Sequence, residues 1–154
     1  MRPMGPPHAT ALSKTSYYLY EVFGSGYVVR SQMPLRINDD SEPEPDVLVV
    51  AGAPDDYKKH PVPSEALLLV EISDATYRYD QGLKADIYAA SGIVEYWIVN
   101  LRQRTLEIRR DPRSGKYQTL ETYGEIETVI PLAAPNAALQ VASLLPLARK
   151  RNEG

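Results

Sequence analysis

The chain has 154 residues, 44% of them hydrophobic and 24% charged, with a formal net charge of −3. That suits one domain with a buried core. The absence of cysteine excludes disulfides and thiolate metal sites. No apolar run approaches the ~20 residues needed to cross a bilayer, and the opening MRPMGPPHAT has no apolar signal-peptide core. No membrane association is expected, and the cytoplasm is the default compartment. The net charge argues against broad nucleic-acid affinity, yet a local basic patch can still bind phosphate.

Residues 1–8 are rich in Pro and Gly and read as a loop or frayed end, with His8 at its close. Residues 9–23 read as a helix, with Leu12, Leu19 and Val22 on its apolar stripe. Residues 26–37 are β-branched and alternating, which predicts one long strand or a hairpin interrupted at Pro34. NDDSEPEP (38–45) is a loop of turn formers and acids. A strand begins on Asp46, and 52–65 is a second loop with three prolines.

The chain is organised around ALLLVEIS (66–73), an apolar run of strand length that suits a strand covered on both faces. Alternation puts Leu67, Leu69, Glu71 and Ser73 on one face and Leu68, Val70 and Ile72 on the other. A buried carboxylate is costly unless paired, hydrogen-bonded or metal-bound, so Glu71 asks for a reason. Residues 74–92 predict a helix with Leu83, Ile87 and Ala90 toward the sheet and Gly92 ending it. VEYWIVN (94–100) is a second buried-type strand. The crossover between these two strands is long enough for parallel pairing. TLEIRRD (105–111) alternates, with Leu106 and Ile108 inward and Glu107 and Arg109 outward, and pairs through PRSG with KYQTLET (116–122). One or two short strands fall in 126–141, then a short apolar turn, and 143–154 is a tail. The order predicts a single α/β domain with a central mixed sheet.

Asp46, Glu71 and Lys84 stand out together. Carboxylates are the hard oxygen ligands that Mg²⁺ accepts, and a nearby Lys can stabilise negative charge in a transition state. Asp80, Lys84 and Tyr88 share a helical ridge. Each has an ordinary reading too. Asp46 suits a turn, Asp80–Lys84 a surface ion pair, Ser73 a strand end, Trp97 the core, and a lone His8 is usually no ligand. Arg102, Arg104, Arg109, Arg110, Arg113 and Lys116 fall on one hairpin, as phosphate contacts or as a solvated face.

The strings PEPDVLVVAG, ALLLVEISDAT and YDQGLKADIYAASGIVEYWIVN together resemble the Uma-type family described as "putative restriction endonucleases", within the PD-(D/E)XK nucleases. The resemblance runs from GPPHA to about residue 120. It implies a restriction-endonuclease-like fold, a central mixed β-sheet flanked by helices. It implies Asp46 and Glu71 as ligands of Mg²⁺ or Mn²⁺, joined by the carbonyl of Ile72. The superfamily's lysine position holds Ser73 here, and the lysine carries over to Lys84 on the helix, supported by Asp80 and Tyr88. His8 gains weight as a site neighbour from the GPPHA match. Family members carry a further segment before that stretch, which this sequence lacks. Asp74 stands where Pro is frequent, and Asn100 where Asp is common. The expectation is a metal-dependent endonuclease acting on DNA, by analogy a homodimer, with specificity carried by loops 38–45 and 52–65. The alternative is a catalytically silent domain of the same fold, acting in DNA binding or assembly. A metal-dependent hydrolase of another phosphate substrate stays open.

Overall fold

The structure, a computed structural model, describes residues 4–74 and 77–148, with 77–81 described by backbone alone. The chain runs α1 (Pro6–Phe23), β1 (Tyr27–Ser31), β2 (Val47–Ala51), β3 (Ala66–Ser73), α2 (Tyr77–Ala90), β4 (Glu95–Asn100), β5 (Thr105–Arg113), β6 (Lys116–Gly124), β7 (Thr128–Val129) and β8 (Leu139–Gln140). The first six strands form one sheet in sequence order, and β7 and β8 pair separately. Within the large sheet β3 and β4 are parallel and the other pairs antiparallel. This is the predicted mixed sheet, with α2 as the crossover.

Helix α1 begins at Pro6, inside the stretch expected to be loop. Pro6 and Pro7 occupy its first turn behind the extended Gly5 cap, where a missing N–H costs nothing and a fixed φ favours the helix. His8 is thereby held on a helix instead of a loose end. The helix buries Ala11, Thr15, Leu19 and Phe23, four residues apart, while Leu12 and Val22 flank that stripe.

The sheet separates two apolar layers. Leu68, Val70, Ile72, Trp97 and Val99 pack with α1 and the turn Val141–Leu144 on one face. Leu48, Val50, Leu69, Tyr96 and Ile98 pack with Leu35, Ala85 and Tyr88 on the other. The alternation expected of β3 therefore holds.

Four expectations are corrected. The strand predicted over 26–37 stops at Ser31. Gln32 turns to φ 52°, and the chain leaves on an excursion anchored by fully buried Leu35. Helix α2 does not present Leu83, Ile87 and Ala90 to the sheet. Leu83 and Ile87 are 57% and 43% exposed, and Ala85, Tyr88 and Ala89 face inward. Glu107 and Arg109 do not face solvent. Glu107 is buried, with Arg109 Nη2 3.3 Å from its Oε1, because the second face of β5 is covered too. The stretch expected to be a tail from 143 begins with core residues, since Leu144 and Leu145 are buried and the Leu145 carbonyl accepts from Lys14.

Beneath the α1 face lies a charge that no local pattern in the sequence flags. Glu95 is fully buried at the start of β4. Its Oε2 accepts from Trp97 Nε1 at 2.8 Å and Arg110 Nε at 2.8 Å, and its Oε1 from the Leu132 amide at 2.9 Å. Arg110 also donates to the Ile130 carbonyl. Both carboxylate oxygens are thus met by donors, which is the condition for a buried carboxylate to stay charged without large cost.

Candidate active site

The site forms where β2 begins and β3 ends. Val47 pairs with Val70 in the antiparallel register, so one further step sets Asp46 beside Glu71. Asp46 accepts from the Ile72 amide through Oδ2 at 2.8 Å. That bond replaces the ladder contact β2 can no longer supply, and it fixes the carboxylate at the sheet end. A residue's N–H and C=O leave a strand on the same side, so the Ile72 carbonyl also faces the Asp46 side of β3.

Glu71 points to the α2 face. Tyr88 donates its hydroxyl to Glu71 Oε1 at 2.9 Å, and Lys84 Nζ stands 3.7 Å from Oε2. Lys84 is half-exposed while the Glu71 side chain is 13% exposed. Burial pushes the Glu71 carboxyl up to about 7; Lys84 pulls against that shift, Asp46 reinforces it, and the Tyr88 bond lowers it. Two crowded carboxylates in a poorly solvated place favour sharing a proton or a cation.

His8 reaches the same place from the first turn of α1. Its Nε2 is 3.6 Å from Asp46 Oδ2, and its buried Nδ1 has no hydrogen-bond partner among the described residues. Ser73 ends β3 with its carbonyl accepting from the Leu101 amide. The side chain of Asp80 lies outside the described residues. Asn100 Oδ1 accepts from the Gln103 amide, which gives it a turn-forming role. The structure thus brings His8, Asp46, Glu71, Lys84 and Tyr88 together.

Sequence reasoning missed Tyr96. It is buried, its ring meets Tyr88 edge-on with centroids 5.0 Å apart, and burial drives its hydroxyl pKa up, with Glu71 adding to the rise. It walls the site from the β4 side. The signal is present in the sequence, since alternation from Trp97 puts Tyr96 on the Glu71 face. Of the six hairpin cations only Arg102 is exposed without an ion pair among the described residues. Arg104 holds Glu125, Arg109 holds Glu107, Arg110 holds Glu95, Arg113 holds Asp111 and Lys116 holds Asp86.

Two carboxylates and a nearby carbonyl are oxygen donors of the kind a hard divalent ion accepts. Among the described residues no three His, Cys, Asp or Glu side chains form a metal-holding group.

An α/β domain with a six-stranded mixed sheet between helices, carrying acids at one sheet end, is the restriction-endonuclease-like class. The fold is similar to the crystal structure of a "putative nuclease belonging to DUF820" from Anabaena variabilis ATCC 29413, with TM-score 0.71 and 15% identity, covering 94% of this chain and 82% of that one. The family model described as "Uma2: Putative restriction endonuclease" matches residues 1–142, and the chain belongs to that family. No curated protein matches. Among the described residues no helix is long and apolar enough to cross a membrane.

Proposed function

We propose that the protein is a nuclease that hydrolyses DNA phosphodiesters with a divalent cation, Mg²⁺ or Mn²⁺. The observation that carries this reading is the juxtaposition of Asp46 and Glu71 at one sheet end, with Lys84 Nζ 3.7 Å from Glu71. Family membership and likeness to a structure described as a "putative nuclease" support it. Asp46, Glu71 and the Ile72 carbonyl would hold the ion. Bound there, such an ion would supply charge neutralisation at a phosphodiester and a bound water more acidic than bulk water.

The remaining work falls to the chain's own groups. The Ile72 amide keeps Asp46 Oδ2 fixed. Tyr88 orients Glu71 through Oε1 and leaves Oε2 toward Lys84. Lys84, with its ammonium half in solvent, is placed to meet the charge that develops on a phosphoryl oxygen. His8 is a candidate to receive or deliver a proton beside Asp46. Tyr88 and Tyr96 exclude water from the α2 side of Glu71.

The test is calorimetric titration with Mg²⁺ and Mn²⁺ of the wild type and Glu71→Ala, with DNA cleavage measured alongside. Binding and cleavage by the wild type, both lost in the variant, are expected. A wild type that binds neither ion sinks the reading. Metal binding without cleavage favours the second reading, a silent domain acting in DNA binding or assembly.

A further inference from the structure

We infer that the cleft between the excursions 32–45 and 52–65 is a phosphate-binding subsite, gripping the DNA backbone away from the bond that is cut. The inference rests on the nuclease reading above. The cleft holds about 370 Å³ and is lined by Arg36, Glu42, Tyr57, Lys58, Lys59 and His60. That volume, at the small end of ligand sites, suits one sugar–phosphate unit.

Its walls are built, not draped. The Arg36 amide donates to the Pro61 carbonyl at 2.8 Å, tying one excursion to the other. Leu35, next in line, is fully buried and donates its amide to the Pro43 carbonyl. Tyr57 donates its hydroxyl to the Ala51 carbonyl, and the Arg30 guanidinium lies 5.8 Å from the centre of its ring.

The side chains that line the cleft carry more cations than acids. Five of the six hairpin cations are held by carboxylates, Arg102 being the exception among the described residues. Lys58 and Lys59 are exposed, and among the described residues neither forms an ion pair. Arg36 meets Asp39 at 2.5 Å on an exposed bridge, as Arg113 meets Asp111 and Lys116 meets Asp86, and water and salt weaken all three. Among the lining side chains three cations and an imidazole face one acid, Glu42, with Asp39 on Arg36; Asp40, Glu44, Asp55, Asp56 and Glu65 of the same excursions do not line the cleft. Such a concavity attracts an anion.

Placement favours a nucleic-acid phosphate over a free one. Leu35 is seated in the layer that contains Leu48 and Tyr88, on the sheet face that carries Glu71. The same excursion returns to Asp46, whose carbonyl accepts from the Gln32 amide. One loop thus forms a wall of the cleft and delivers a site carboxylate, so a strand held by the cleft is held relative to Asp46.

The test measures fluorescence anisotropy of a labelled duplex of mixed sequence, in chelator so that nothing is cut, across a range of salt. The expectation for Lys58→Ala/Lys59→Ala is weaker binding and a salt slope smaller by about 2, roughly one per phosphate-contacting lysine. Lys58→Arg/Lys59→Arg should retain both. Mg²⁺ titration and thermal unfolding of the alanine variant should match the wild type. Wild-type binding and slope in the alanine variant would overturn the subsite while leaving the nuclease reading intact. A wild type that binds no duplex would overturn it together with the DNA substrate. Displacement of the duplex by inorganic phosphate at constant ionic strength would reassign the cleft to a free anion and overturn it too.

Discussion

Glu71 and Glu95 are two glutamates on neighbouring parallel strands, both taken out of water, and the chain treats them in opposite ways. Glu95 faces the α1 layer and is met by an indole N–H, a guanidinium and a backbone amide. Glu71 faces the α2 layer with one tyrosine hydroxyl, a lysine at 3.7 Å and a second carboxylate nearby. Burial alone does not mark a functional acid. What marks it is burial with its charge left incompletely answered, because that deficit is what a cation can fill.

The comparison breaks most sharply at Glu95. Glu95→Ala strands Arg110 and the Leu132 amide, and removing one partner of a buried pair costs about 3–5 kcal/mol. Urea unfolding should show that loss, with a matching fall in Tm. A loss under about 1 kcal/mol would mean that Glu95 is no more structural than Glu71. Next comes Lys84→Ala. If Lys84 answers transition-state charge, its removal should cut kcat by roughly 10²–10³, or about 2.7–4 kcal/mol in the barrier, with little change in Mg²⁺ affinity or Tm. A large fall in stability with kcat unchanged would recast Lys84 as Glu71's structural counterion.

The pH dependence sharpens the contrast. In chelator, Glu71 has a folded pKa of about 7 against an ordinary value of 4.5. The native state then holds the extra proton between those values. Stability should fall as pH rises from 4.5 to 7, by about 3 kcal/mol in total. Glu71→Gln keeps an oxygen for Tyr88 and has no proton to lose, so it should flatten that slope and be more stable than wild type at pH 8. Equal slopes in the two proteins would refute the deficit assigned to Glu71. The smallest effect belongs to Tyr88→Phe, which removes one hydrogen bond worth about 1 kcal/mol. That bond favours the charged carboxylate, so its loss should move the falling limb to higher pH.

Much of this architecture is legible in the sequence, for definable reasons. The β3 run announces a doubly covered strand, alternation orients Glu71 correctly, and the long crossover to β4 permits the parallel pair that forms. The departures are equally physical. Periodicity rotates α2 the wrong way because large aliphatics ordinarily seek the sheet. Over a sheet end that carries a carboxylate, the inward positions instead hold two alanines and a tyrosine able to pack and donate. Glu107 and Arg109 read as solvated because alternation cannot distinguish a solvated polar face from one buried as an ion pair. Glu95 begins a buried strand just as Glu71 nearly ends one, yet nothing near it in the chain betrays its role. Its partners Arg110 and Leu132 lie 15 and 37 residues away, and no local pattern links them.

Trp97 is the chain's one tryptophan, fully buried on β4 and hydrogen-bonded to Glu95. Its indole lies on the α1 side of the sheet, while Glu71 points to the α2 side. The protein therefore carries a built-in optical probe of its own folding. Its emission should shift sharply to the red when the core opens and stay nearly constant when a cation is titrated into the acids on the other face. Fluorescence can follow folding while calorimetry follows occupancy, on one unlabelled sample.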